Sequence, residues 1–151
     1  MNSSYPRALL HRRMGALLYD ILCITALILL VGVFFFIING GEEITAEDVV
    51  LRQVMRVFIV LTPIAYFLFF WMRDAHTTGM RAWRLRIQRL DGTPITGTIA
   101  LIRLGFAIIS WIPLGLGYWW VFVSPTRLSW HDRLSGTEII QLPKQEKKKK
   151  P

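Results

Sequence analysis

The chain has 151 residues, 53% of them hydrophobic, with 18 Lys and Arg against 10 Asp and Glu; this length leaves room for one domain, and the gathering of apolar residues into long blocks gives a membrane composition. A net charge of +8 would fit nucleic-acid binding, but the bases stand directly beside the apolar runs, where they meet anionic lipid headgroups and set orientation, so nucleic acid is not an expected partner. Cys23 is the single cysteine, which excludes an intramolecular disulfide, and His11, His76 and His131 show no metal-ligand spacing, so neither a metal nor a cofactor is expected.

From Met14 to Gly41, 28 residues hold one formal charge, Asp20. About 20 residues cross a hydrocarbon core of roughly 30 Å, so this run predicts a first span at about 15–38. Its length, its aspartate and the lack of a small-x-small site before the acidic loop argue for a retained anchor over a cleaved signal peptide. An ionisable group at this depth costs roughly 2.5 to 3.5 kcal/mol on insertion scales and therefore faces a partner or a wet cavity. Arg13 and Asp20 are seven apart, on nearly the same helix face with about 10 Å of axial separation. That face is expected to look toward protein, with the hydroxyl of adjacent Tyr19 within reach. Two readings stay open: a cation or proton site that Arg13 tunes, or a buried polar pair that fixes helix register.

The next segment carries Glu42, Glu43, Glu47 and Asp48. A second run, Val57 to Met72, has 16 residues without charge and predicts a span at about 54–72 whose flanking Arg56 and Arg73 snorkel to the interface. A basic loop follows. In it Trp83, Leu85 and Ile87 alternate with Arg84, Arg86 and Gln88, the period of a strand, and Asp91-Gly92 supplies a turn. A third apolar run, Leu104 to Thr126, has 23 uncharged residues broken by Pro113, Gly115 and Gly117. The third membrane segment, about 97–123, is expected to be either a re-entrant hairpin of two half-helices, Gly97 to Ile112 and Leu114 to Val123, or a third full span. The positive-inside rule puts the N-terminus, the middle loop and the C-terminus in the cytoplasm and favours the hairpin. Thr137 to Leu142 is a second β-prone run able to pair with the first, and 143–151 reads as a basic disordered tail.

The densest polar cluster is Ser129 to Thr137. His131 and Asp132 are adjacent and so diverge in direction, which argues against a joint catalytic role; the commoner outcome is an interfacial loop in which Asp132 caps or pairs with a loop arginine. Trp71, Trp111, Tyr118, Trp119 and Trp120 read as an aromatic belt, with Trp130 at headgroup level. There is no G-x-S-x-G, P-loop or dinucleotide fingerprint, and no enzyme is expected.

Several motifs occur in a recognisable order. R-M-G-A-L-L-Y-D (Arg13 to Asp20) resembles the opening of the RDD family of small membrane proteins, F-F-W (Phe69 to Trp71) the end of its second helix, and T-T-G-M-R-A-W-R-L-R-I (Thr77 to Ile87) with D-G-T-P its loop, strand and turn. Arg103 resembles a recurring arginine before the third stretch, and H-D-R-L-S-G-T (His131 to Thr137) its closing motif. The resemblance places the named arginine at Arg13 and the two aspartates at Asp20 and Asp132. Where relatives often have Pro-Gly-Lys this chain has Thr78-Gly79-Met80, with Arg81 next. The family implies transport of an unidentified ligand, including cation and proton exchange.

The expected molecule is an all-α integral membrane protein of one RDD-like domain, 1–142, with two spans, a broken third segment and a possible small β-hairpin on the cytoplasmic side. It is expected in a bacterial inner membrane, multi-pass, with its N-terminus cytoplasmic, as a homo-oligomer or with a membrane protein partner, since so few spans enclose little space alone. Its function is read as transport of a small ligand or of a cation or proton; the alternative is a non-catalytic scaffold or assembly partner. Arg13, Asp20 and Asp132 lead the candidate site, followed by Tyr19, Arg103, His131 and Arg133.

Overall fold

The computed structural model describes residues 5–111, Trp120, Ser124 and 128–143. The first two apolar runs form the long helices α1 (Leu10–Ile38) and α2 (Val49–Asp74). At 1.5 Å per residue they measure about 43 and 39 Å, more than a hydrocarbon core of roughly 30 Å, and both are long and apolar enough to cross a membrane. Each begins earlier than the expected span, because Arg12 and Arg13, or Arg52, continue the same helix. Leu22, Leu29, Ile37, Val50 and Val60 are more than 60% exposed, a continuous apolar surface suited to lipid.

Gly40 and Gly41 take the positive φ values of +75° and +83° that turn the chain after α1, and α2 packs back along α1, with Phe35 set edge-on to Phe58. Pro63 lies inside α2 and removes one helix hydrogen bond. Beside it the Thr62 hydroxyl donates to the Phe58 carbonyl at 2.8 Å, and the helix continues.

Beyond α2 the chain builds a small cap: α3 (Thr78–Ala82), β1 (Leu85–Arg89), α4 (Gly97–Trp111), α5 (Trp130–Leu134) and β2 (Thr137–Gln141). β1 and β2 pair antiparallel, with Ile87 opposite Ile139 and Leu85 opposite Gln141. The strand starts at Leu85 and not at Trp83, because Trp83 closes α3 and Arg84 takes a left-handed φ of 56°. The two strands are not a hairpin, since α4 and α5 lie between them in the chain. On its other side β2 receives the residues before α1: Ala8 N–H donates to the Ile139 carbonyl at 2.8 Å and Gln141 N–H to the Pro6 carbonyl at 2.9 Å.

The hydrophobic core gathers Ala8, Ala16, Trp71, Ala75, Met80, Leu85, Ile87, Ile95 and Ala100. It sits at one end of the helix pair, where the start of α1 and the end of α2 meet the cap. The described residues of α4 measure about 22 Å. The break at Pro113, the second half-helix, Tyr118, Trp119 and the basic tail lie outside the described residues.

Candidate functional site

Asp20 is buried, 3% exposed, on the inward face of α1. Its Oδ1 accepts from the Tyr66 hydroxyl at 2.7 Å and from Gly79 N–H at 2.8 Å, and its Oδ2 from the Thr77 hydroxyl at 2.6 Å. Thr77 also accepts from Met80 N–H at 3.1 Å, which caps α3. The carboxylate thus binds α1 to α2 and to the first turn of α3. The contact is close enough that a Cβ on Gly79 would stand 2.0 Å from the Ala16 carbonyl oxygen, which explains why the T-T-G motif needs its glycine. Two expectations are corrected. Tyr19 is 51% exposed on another face, because neighbours on a helix point about 100° apart; Tyr66 supplies the hydroxyl. Arg13, too far along α1 to reach Asp20, turns to Asp132.

Asp132 is fully buried. Its Oδ2 lies 2.6 Å from Arg13 Nη1 and its Oδ1 2.6 Å from Arg103 Nη2. It also accepts from Ser129 N–H at 3.2 Å while its own N–H points to Ser129 Oγ at 3.4 Å, a capping box that starts α5. Burial alone would raise the Asp132 pKa, but Arg103 and then Arg13 more than offset it and hold the carboxyl well below the usual range. Arg103, 2% exposed, donates from Nη1 to the Thr137 hydroxyl, and its guanidinium stacks 5.4 Å from the Trp71 ring centroid. Trp71 is therefore buried cap, not interfacial belt. Burial pushes His131 down to about 3, so it is neutral, with Nε2 3.0 Å from Ser129 Oγ. Arg133 is exposed and away from this cluster, and Arg81 is likewise exposed.

One cavity of about 390 Å³ touches both carboxylate systems. Leu17, Ile64, Phe67, Leu104, Ala107 and Ile108 wall it from α1, α2 and α4, while Arg13, Asp20, Trp71, Arg103, Ser129 and His131 form its polar end. Among the described residues no group of three or more His, Cys, Asp or Glu could hold a metal ion. Sequence reasoning missed Tyr66, Thr77 and Gly79, and it missed Glu138, which is buried and accepts from Arg7 Nε at 2.8 Å and Gln88 Nε2 at 2.9 Å. For Thr77 and Gly79 a signal existed in the T-T-G motif, whereas Tyr66 is one of several aromatic residues in an apolar helix.

Long lipid-compatible helices tied at one end by buried polar clusters define a small helical membrane protein. The model of the RDD family matches residues 7–136, and the chain belongs to that family. Neither a curated protein nor a solved structure matches it.

Proposed function

We propose that this chain is a component of small-ligand transport in a bacterial inner membrane, with the cavity between α1, α2 and α4 as the binding site and Asp20 as the carboxylate that exchanges a proton or cation. The observation that carries the reading is that Arg13, Asp20, Arg103 and His131, drawn from three separate helices, all line that cavity. An apolar pocket with a few convergent polar groups is the form a small-molecule site takes. On this reading the N-terminus, the middle loop and the C-terminal strand lie in the cytoplasm, as the positive-inside rule favours. In support, Arg103 of α4 bonds Asp132 of α5 and Thr137 of β2, while β2 pairs with both β1 and the residues before α1; this favours a third segment that returns to the side it left. The helix pair encloses little space alone, so the transporting unit is an oligomer or a complex. The test is flux in inside-out vesicles, read with a ΔpH-sensitive dye on addition of sodium, potassium or lithium chloride. Asp20→Asn abolishes the flux at unchanged membrane abundance; unaltered flux would refute the assignment of Asp20.

A scaffold reading is favoured by one observation: both oxygens of Asp20 and both of Asp132 are already engaged by protein groups. On that reading Asp20→Asn lowers abundance and partner capture, and the wild type shows no flux.

A further inference from the structure

Two arginines share one carboxylate at the polar end of the cavity. Arg13 and Arg103 both pair with Asp132, and the neighbouring His131 is neutral, so these four residues alone carry one positive charge in excess, which Asp20 elsewhere on the wall offsets formally. Asp20 lines the same cavity, but its oxygens are taken by Tyr66, Thr77 and Gly79. The donors near the arginines are not all used. Among the described residues, Arg13 Nη2, Arg103 Nε and Trp71 Nε1 are buried atoms without a hydrogen-bond partner, and all three residues line the cavity. Each is a donor with no accepting capacity. A buried N–H left unpaired costs about 1 to 3 kcal/mol, so three of them beside a cavity call for an acceptor. The remaining wall is aliphatic and aromatic. A volume of about 390 Å³ falls at the lower end of the roughly 300 to 1,000 Å³ of small-molecule sites, which suits one chain and not a double-chain lipid.

We propose that the cavity binds a single-chain anionic amphiphile, its oxyanion head held by Arg13, Arg103 and the Trp71 indole N–H, its hydrocarbon chain lying between Leu17, Ile64, Phe67 and Ala107. The proposal rests on the cavity being the ligand site and does not depend on transport. The head chemistry, carboxylate or phosphate, is shared by a free fatty acid and by a lysophospholipid. Both the charge and the chain are required: Arg fork geometry accepts an oxyanion, and the apolar wall beside it disfavours a small hydrated anion.

The test is equilibrium binding of radiolabelled palmitate to the full chain in phosphatidylcholine nanodiscs, with empty discs subtracted. The expected result is saturable binding of one palmitate per chain, displaced at least about tenfold better by palmitate or lysophosphatidate than by monopalmitoylglycerol or hexadecyltrimethylammonium. Which of the two anions competes better separates a free fatty acid from a membrane lipid source. Ala107→Phe fills the apolar wall without touching the Asp132 pairs and weakens binding at least tenfold. Arg103→Lys keeps the charge but removes the Nε–H and the planar fork, and weakens binding of the anions alone. Thermal melting of both variants checks that they are folded. Equal displacement by the neutral ester, or preference for the cation, overturns the anionic assignment while leaving the cavity as a ligand site. Displacement by inorganic phosphate alone overturns the amphiphile. Absence of saturable binding for every probe overturns both this inference and the cavity as the site.

Discussion

Among the described glycines, Gly79 leaves the least room for a Cβ, so Gly79→Ala is the most severe of the glycine substitutions. The new Cβ would lie 2.0 Å from the Ala16 carbonyl oxygen and 2.9 Å from the Asp20 carboxyl carbon, against about 3.3 Å for the closest C···O contacts that proteins use. Both obstacles belong to α1 and neither is the end of a flexible side chain, so α3 must retreat by about 1 Å. The Gly79 N–H···Oδ1 bond, 2.8 Å long, then stretches beyond hydrogen-bond range. Overpacking costs about 1 to 3 kcal/mol, and a bond to a carboxylate contributes about 1.5 to 3, so the loss is about 2.5 to 6 kcal/mol. For a chain of this size each kcal/mol corresponds to about 2 to 4 °C in Tm, giving a fall of roughly 10 °C. Size-exclusion recovery of detergent-solubilised protein after heating measures it. Gly32→Ala is the control, since nothing stands within 4 Å of a Cβ there, and it should be neutral or slightly stabilising. If Gly79→Ala melts with Gly32→Ala, α3 does not pack on α1 at this distance.

Tyr66→Phe removes one donor from Asp20 and should cost about 1 to 3 kcal/mol in the same assay, whereas Tyr19→Phe, at an exposed position, should leave Tm unchanged; the reverse order would restore the pairing expected from adjacency. Asp132→Ala leaves the Arg13 and Arg103 guanidiniums buried without their counter-ion and should destabilise by about 3 to 5 kcal/mol; a shift below 1 kcal/mol would mean water reaches the cluster. His131 is held at about 3 in the folded state but titrates near 6.5 when unfolded, so the unfolded chain binds the extra proton. Stability therefore falls as pH drops from about 6.5 toward 3, by at most about 1.4 kcal/mol per unit. His131→Gln should flatten that part of a Tm-against-pH curve, and an unchanged slope would place its origin elsewhere. Asp132, with its pKa depressed, contributes fully above about pH 4 and loses its contribution only below the usual carboxylate range.

What could be read from the sequence followed from charge rarity and periodicity. A lone aspartate in an apolar run had to face protein, and Arg13 seven residues away had to share its face; both line the cavity. What could not be read was which group meets which. Arg13 is separated from Asp132 by 119 residues, and Tyr66 from Asp20 by 46, and no helical or strand period spans such distances. The donors to Asp20 are also neutral. A hydroxyl among phenylalanines, a threonine and a backbone N–H carry no charge pattern to signal a partner, while the ion pair at Asp132 was visible in kind, as a carboxylate near arginines, but not in its membership. The strand alternation was legible, yet its first residue was lost to a left-handed Arg84, a local conformation that polarity does not encode.

The two aspartates divide the work of holding the array together, and α1 is common to both. Asp20 ties α1 to α2 and α3 through neutral donors; Asp132 ties α1 to α4 and β2 through two guanidiniums. Each tie lies near the end of α1 that meets the cap, and beyond Asp20 the helix buries only Phe35. The outer half of the α1–α2 pair is held by the turn at Gly40 and Gly41 and by Phe35 against Phe58, so the buried polar ties that fix the array are concentrated at its inner end.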